Sequence, residues 1–306
     1  MPTATGRLLG VAQLSLLSAA PPRLVQLAAD AGFDFVGVRV RPVTDAETPF
    51  DVQPGSPLLA ETLARMADTG VMVRDIEFLL LDGTDQRDAW LRMFEAGQAL
   101  GAESLTVACG DPDLSRARDT LAQMAEDGRP FGISPGLEAI SYQSVRSIPV
   151  ADELAVHAGC DLVVDTLHTG RFGASAAELA AAASRAPMVQ LCDAPAERPA
   201  SREALVTESR SARLAPGEGG LDLLGVVDAL EAGLAGTPRA GTQLPVSLEV
   251  PNEEAVARLG DAGWLGHLHS SAVSLLEREA LPGSSAGSSG GAAAATAETS
   301  TEERTR

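Results

Sequence analysis

The strongest constraint on this chain is a regular alternation of two local patterns from Leu8 to Glu279. Short β-like runs at Leu8 to Leu17, Asp34 to Val40, Val71 to Leu81, Ser104 to Gly110, Ser134 to Ile140, Asp161 to Leu167, Met188 to Asp193 and Leu244 to Val250 are separated by Ala- and Leu-rich stretches with helical spacing. Those stretches are Pro22 to Ala31, Pro57 to Thr69, Arg87 to Leu100, Asp113 to Glu126, Val150 to Ala158, Ala174 to Arg185, Leu221 to Leu234 and Glu253 to Glu279. Such alternation marks repeated βα units on a parallel sheet. Eight of them in about 280 residues match a (β/α)8 TIM barrel, whose usual size is roughly 250 residues. An open doubly wound sheet alternates in the same way, but nothing like its GxGxxG turn follows the first strand, where QLSLLSAAPP stands. The sequence therefore predicts one α/β domain, a TIM barrel over residues 1–280. The Gly-, Ser- and Ala-rich stretch from Leu281 to Arg306 cannot bury enough apolar surface to offset its chain entropy and reads as a disordered tail.

Composition narrows the chemistry. All 23 basic side chains are Arg, set against 42 Asp plus Glu, for a formal charge of −19. Without a lysine the chain cannot form the imines of Schiff-base aldolases or pyridoxal-phosphate enzymes, and it has no P-loop. So acidic a surface repels phosphodiester backbones and anionic membranes, so neither nucleic acid nor membrane is expected as a partner. With 7 Phe, 1 Tyr and 2 Trp, there is little with which to stack bases or polysaccharide. A small-molecule substrate is expected. Cys109, Cys160 and Cys192 are too few and too widely spaced for a disulfide framework or a thiolate metal site, which suits a reducing cytoplasm. The short apolar run near the N-terminus leads into an amphipathic helix and reads as a strand, not an export leader. No stretch reaches the ~18 apolar residues of a membrane span.

In such a barrel the active residues sit at the C-terminal ends of the strands. Strand 5 ends with Glu138, strand 6 with Asp165 followed by His168, strand 7 with Gln190 and Asp193, and strand 8 with Glu249. Glu138, Asp165 and Glu249 interrupt apolar runs, where an unpaired carboxylate costs several kcal/mol to bury. One such acid is more often a helix N-cap or an ion-pair partner than a ligand. Four consecutive strand ends with ligand-type residues are harder to dismiss. Because no Arg lies inside these strands at comparable depth, a divalent cation is the expected counter-charge, and an all-oxygen set favours Mg²⁺, Mn²⁺ or Co²⁺.

The segments LEAIS, LVVDTLHTGRFG, VQLCDAP, RLAPGEGGLDL and VSLEVPN resemble the sugar phosphate isomerase/epimerase family of xylose isomerase-like TIM barrels, over roughly Leu8 to Leu276. In that family Glu, Asp, His and Glu from strands 5 to 8 hold one divalent ion. The resemblance implies Glu138, Asp165, Gln190 and Glu249 as metal ligands here, with Gln190 where many epimerases have His. That substitution makes Zn²⁺ less favoured, and together with the downstream PGEG it also resembles 3-dehydroshikimate dehydratases of the same superfamily.

The resemblance implies removal of a proton beside a carbonyl, with Glu138 and Glu249 as acid/base groups on opposite faces of the substrate and His168 as a further base or donor. Arg210 and Arg213 are candidate anchors for a substrate carboxylate or phosphate, and Glu77, Arg39 and Arg41 could also reach it. Cys192 shares strand parity with Gln190, whereas His157, His267 and His269 fall in helices and read as structural. The expected function is a metal-dependent isomerase or epimerase of a small ketose or polyol. A dehydratase acting on a cyclic keto-acid is the nearest alternative, and a catalytically silent ligand-binding barrel the alternative of another class. An endonuclease of the same superfamily fits poorly, since such enzymes use a His-rich centre and this chain has 4 His at −19. A homodimer is compatible with this reading, because a neighbouring subunit often helps set specificity in this fold.

Overall fold

The computed structural model describes residues 6–45 and 47–279. Its eight strands form one closed parallel barrel in the order β1 to β8: β1 (Leu9–Ala12), β2 (Phe35–Arg39), β3 (Met72–Leu81), β4 (Ser104–Cys109), β5 (Ser134–Glu138), β6 (Asp161–Asp165), β7 (Val189–Leu191) and β8 (Val246–Leu248). Closure is made by β1, which pairs with β2 at Gly10↔Phe35 and with β8 at Gly10↔Ser247. The open doubly wound alternative is excluded by that pairing. Outside lie α1 (Pro21–Ala31), α2 (Pro57–Thr69), α3 (Arg87–Leu100), α4 (Leu114–Gly128), α5 (Ile148–Ala158), α6 (Thr166–Phe172), α7 (Ala176–Ala182), α8 (Arg202–Ser211), α9 (Leu223–Gly233) and α10 (Glu253–Glu279). The expected tail falls outside the described residues.

The helices start where the sequence offers caps. Ser56 accepts from the Leu59 amide with Pro57 opening α2, and Gly70 ends that helix in the left-handed conformation that a residue with a Cβ resists. Three sequence readings require correction. The first strand stops at Ala12, and Gln13–Leu16 form a 3-10 turn whose Gln13 and Ser15 side chains bond backbone groups beneath the barrel mouth. The sixth strand stops at Asp165, because its carboxylate accepts from the Leu167 and His168 amides and starts α6, a helix the sequence reading did not separate from the strand. Helix α8 was also missed.

Strand parity divides the barrel. Leu9, Val11, Val36, Val38, Ile76, Leu105, Val107, Leu137, Val164, Val189, Leu191, Val246 and Leu248 pack into the core between sheet and helices. Their alternates face the lumen, and many of those are small or polar: Gly10, Gly37, Asp75, Glu77, Thr106, Gly136, Gln190 and Ser247. Gly37 is required here, since a Cβ at that position would lie 2.7 Å from Glu77 Oε1 and 2.8 Å from Asp75 Oδ2. Asp75 is fully buried, and neither carboxylate oxygen has a hydrogen-bond partner. Burial, reinforced by the Glu77 charge and opposed by Arg74, pushes its pKa up from 3.8 to about 8.

This group ties stability to pH. Folded Asp75 keeps a proton that the unfolded chain gives up, so its contribution is fully present at low pH and is lost as pH rises through about 8. Asp75→Asn is isosteric and does not titrate. Its gain in urea-unfolding midpoint over the parent protein should therefore grow between about pH 5 and about pH 8. An equal difference at both pH values would show that Asp75 is ionised throughout.

Candidate active site

The barrel mouth holds a cavity of about 460 Å³ with a mixed lining. Leu14, Leu17, Phe78, Leu80 and Ile140 give it apolar lining, and Glu138, His168, Arg213 and Glu249 are among its polar groups. Of the strand-end candidates, Glu138 and Glu249 line the cavity, and Asp165 and Gln190 lie beside them on β6 and β7. The register carries this, with Asp165 opposite Gln190 and Gln190 opposite Ser247, two residues before Glu249.

Arg213 reaches the cluster from the segment after α8, outside the strands. Its Nη1 donates to Asp165 Oδ2 at 2.6 Å and its Nη2 lies 3.0 Å from Glu249 Oε2. The same guanidinium donates to the Glu249 carbonyl and, through Nε, to the Ser209 carbonyl. No Arg lies inside these strands, but Arg213 reaches the same depth from outside them, so a cation is not the only counter-charge available to the acids. Arg213 is pinned among the acids, so it is not a free substrate anchor; Arg210 lies on the cavity wall.

Nearby loops fix that position. The Asp193 carboxylate accepts from the backbone amides of Ala194, Gly217, Gly219 and Leu221, folding the PGEG turn back on the end of β7. The Arg213 amide donates to the Pro251 carbonyl, and Asn252 Nδ2 to the Arg213 carbonyl. Asp193, a strand-end candidate by sequence, serves this loop.

Burial and charge set the protonation of the cluster. Burial pushes Glu138 well above the ordinary carboxylate range, aided by the charges of Glu249 and Asp165 and opposed by Arg213. Glu249 is pushed up to about 8 by burial, with Arg213 opposing. Burial also acts on Asp165, but Arg213 and His168 outweigh it and hold that carboxyl low. Desolvation pulls His168 down to about 4, so its ring is neutral near neutral pH. Its Nε2 lies 3.7 Å from Glu138 Oε1 and its Nδ1 3.2 Å from Ser141 Oγ, with the Tyr142 ring edge-on. Ser141 closes the LEAIS segment but was not singled out as a site residue, and Tyr142 follows it directly.

Part of the expected set groups as a divalent cation would need, with His168 in the group and Glu249 outside it. Ligand atoms of Glu138, Asp165 and His168 lie within 4.8 Å of one another, the one such His/Cys/Asp/Glu group among the described residues. Gln190 is completely buried, and while its Nε2 donates to Glu249 Oε1 at 3.1 Å, its Oε1 has no partner. An orphaned buried carbonyl oxygen facing the lumen calls for a donor or a cation. Fully ionised, three carboxylates beside one guanidinium would leave a charge of −2, which one divalent ion would balance.

The other candidates fall outside the cluster. Glu77 lies in the lumen and contacts Arg39 Nη2 at 3.3 Å. Arg41 lines a separate cleft with Phe50 and Arg92. Cys192 is buried with its thiol pushed up to about 12 by burial, and Arg213 Nη1 approaches its Sγ at 3.5 Å. His267 pairs with Glu218 at 2.8 Å and His269 packs edge-on against Phe33, both away from the cavity.

A family model described as xylose isomerase-like TIM barrel matches residues 25–265. No curated protein matches the sequence. Among solved structures, the IolI protein with a bound zinc atom aligns at TM-score 0.72 and 16% identity, over 88% of this chain and 98% of that one. D-allulose 3-epimerase from Methylomonas sp., solved with D-allulose, aligns at TM-score 0.62 and 14% identity, over 89% of this chain and 97% of that one. AsbF of Bacillus anthracis, described as a probable 3-DHS dehydratase, aligns at TM-score 0.66 and 11% identity, over 86% of this chain and 97% of that one. At such identities the likeness speaks to fold alone, and no described helix is long and apolar enough to cross a membrane. With the closed eight-stranded barrel and a family match spanning most of it, this chain belongs to the xylose isomerase-like TIM barrel family.

Proposed function

We propose that this protein is a divalent-metal-dependent isomerase or epimerase of a small ketose, polyol or related hydroxy-ketone. The observation that carries the reading is the convergence of Glu138, His168 and Glu249 in the polar lining of one cavity, above the buried oxygen of Gln190. A divalent ion held by Glu138, Asp165, Gln190 and Glu249 would supply Lewis acidity to a substrate carbonyl, making the neighbouring C–H more acidic. Mg²⁺, Mn²⁺ or Co²⁺ suits the oxygen donors, while the His168 nitrogen is the feature through which Zn²⁺ would compete.

The chain's own groups then divide the work. Glu249 is held in place by Gln190 Nε2 and Arg213 Nη2, which suits an orienting ligand. Glu138 faces the cavity with His168 Nε2 as its near neighbour, so a proton taken from carbon at one can be returned from the other. Apolar Phe78, Leu80 and Ile140 exclude water from the substrate.

A dehydratase remains the second reading, favoured by the neutral Gln190 ligand and by the apolar lining, which suits a carbon-rich ring better than a fully hydroxylated chain. The silent-barrel reading requires Arg or backbone donors in place of metal. Asp165 and Glu249 have such partners, whereas Gln190 Oε1 has none.

Elemental analysis is expected to find about one divalent ion per chain, and Glu249→Gln to lower turnover by at least about a thousandfold while the fold persists by circular dichroism. Full activity in strong chelator, with no metal in the protein, would reject the metal-dependent reading. Incubation with 3-dehydroshikimate separates the two reactions: growth of aromatic absorbance selects the dehydratase, and a flat trace from metal-loaded protein removes it.

A further inference from the structure

Besides Arg210 and Arg213 the cavity lining includes Arg39, whose surroundings differ from those of Arg213. Arg39 is 7% exposed and lines the cavity at the end of β2. Its Nη2 meets Glu77 Oε2 at 3.3 Å, its Nη1 meets Glu47 at 3.1 and 3.4 Å, and its buried Nε has no partner. Charge-assisted N–H···O bonds normally run about 2.7 to 2.9 Å. Elsewhere Arg171 meets Glu208 at 2.7 and 2.8 Å and Arg213 meets Asp165 at 2.6 Å, although Arg213 Nη2 stands 3.0 Å from Glu249. Arg39 is held loosely by comparison and keeps unspent donor capacity.

The nearer of these two carboxylates, at 3.1 Å, comes from the loop between β2 and α2. Glu47 belongs to the segment that forms the outer wall with Val43, Thr44 and Thr48, and its carboxylate also accepts from the Val43 amide at 3.1 Å. A guanidinium and a backbone N–H thus converge on one carboxylate inside the cavity. Beneath them, Glu77 and the Gln13 side chain fix Arg39 from the lumen side, with Gln13 Oε1 accepting from the Arg39 amide at 2.7 Å. The support below is built in, while the partner above is a side chain on a loop.

We propose that Arg39 and the Val43 amide form a carboxylate subsite, that Glu47 fills it in the free protein, and that the natural substrate displaces Glu47 with a carboxylate of its own. The inference rests on this cavity being the substrate site and narrows the proposed hydroxy-ketone to one that carries a carboxylate. A neutral ketose has no group to exchange for Glu47. A ligand carboxylate would inherit the Arg39 Nη1 and Val43 donors and could engage the idle Nε in a bidentate fork.

Calorimetric titration of the intact protein with cyclohexanecarboxylate, and with cyclohexanecarboxamide as the neutral isostere, tests this. An internal carboxylate that holds the subsite nine-tenths of the time weakens a competing ligand by about tenfold. Glu47→Gln is therefore expected to tighten carboxylate binding by about tenfold and leave the amide unbound, and Arg39→Lys, which keeps the charge but loses the fork, to weaken it. A purely structural Arg39–Glu47 pair predicts no gain on Glu47→Gln. That result, or unchanged affinity in Arg39→Lys, would overturn the subsite. The readout needs no turnover, so absence of any isomerase or lyase activity leaves it intact. Conversely, turnover of a neutral ketose with no affinity shift would remove the subsite and leave the proposed reaction standing.

Discussion

The bond between Arg213 and the carboxylates of Asp165 and Glu249 is the interaction on which the barrel mouth depends. Three buried acids at neighbouring strand ends would repel one another in a medium that screens poorly. The guanidinium relieves two of them and leaves Glu138 and the Gln190 oxygen uncommitted. That division yields a cluster that is stable enough to fold yet still short of positive charge. The PGEG turn, gathered by Asp193, and the hydrogen bonds at Pro251 and Asn252 serve the same end, because they fix where Arg213 can stand.

A second line of support runs through the lumen. Gly37 leaves room for Asp75 and Glu77 side by side, Glu77 and Gln13 hold Arg39, and Arg39 faces the cavity. The two arginines therefore enter the site with different obligations. Arg213 has every nitrogen engaged, by Asp165, Glu249 and Ser209, whereas Arg39 keeps one buried nitrogen without a partner. The apolar lining from Leu14 to Ile140 adds shape without charge.

The barrel was legible because period-two and helical spacings repeat eight times, and an error at one boundary leaves the count intact. The strand-end carboxylates and Gln190 were legible for a related reason, since charge inside an apolar run stands out. What escaped lay where those signals are silent. Arg213 stood out as a candidate anchor, but its pairing with the acids did not, because only the folded chain carries it to the depth of Asp165. Helix α6 was hidden because TLHT continues the apolar tone of β6, and the turn from strand to helix is made by a side chain. The pairing of Arg39 with Glu47 and Glu77 joins residues from a strand end, a loop and the adjoining strand, and such tertiary contacts leave no local trace.

Asp165 serves two masters with one carboxylate. Oδ1 starts helix α6, which carries His168, and Oδ2 receives Arg213. The backbone geometry of the sixth βα unit and the charge balance of the site are thus coupled through a single carbon atom. Any replacement there unsettles scaffold and chemistry together, so a dead variant at this position says little about catalysis by itself. The cleaner probes of the site are Glu138 and Gln190, whose side-chain oxygens carry no helix.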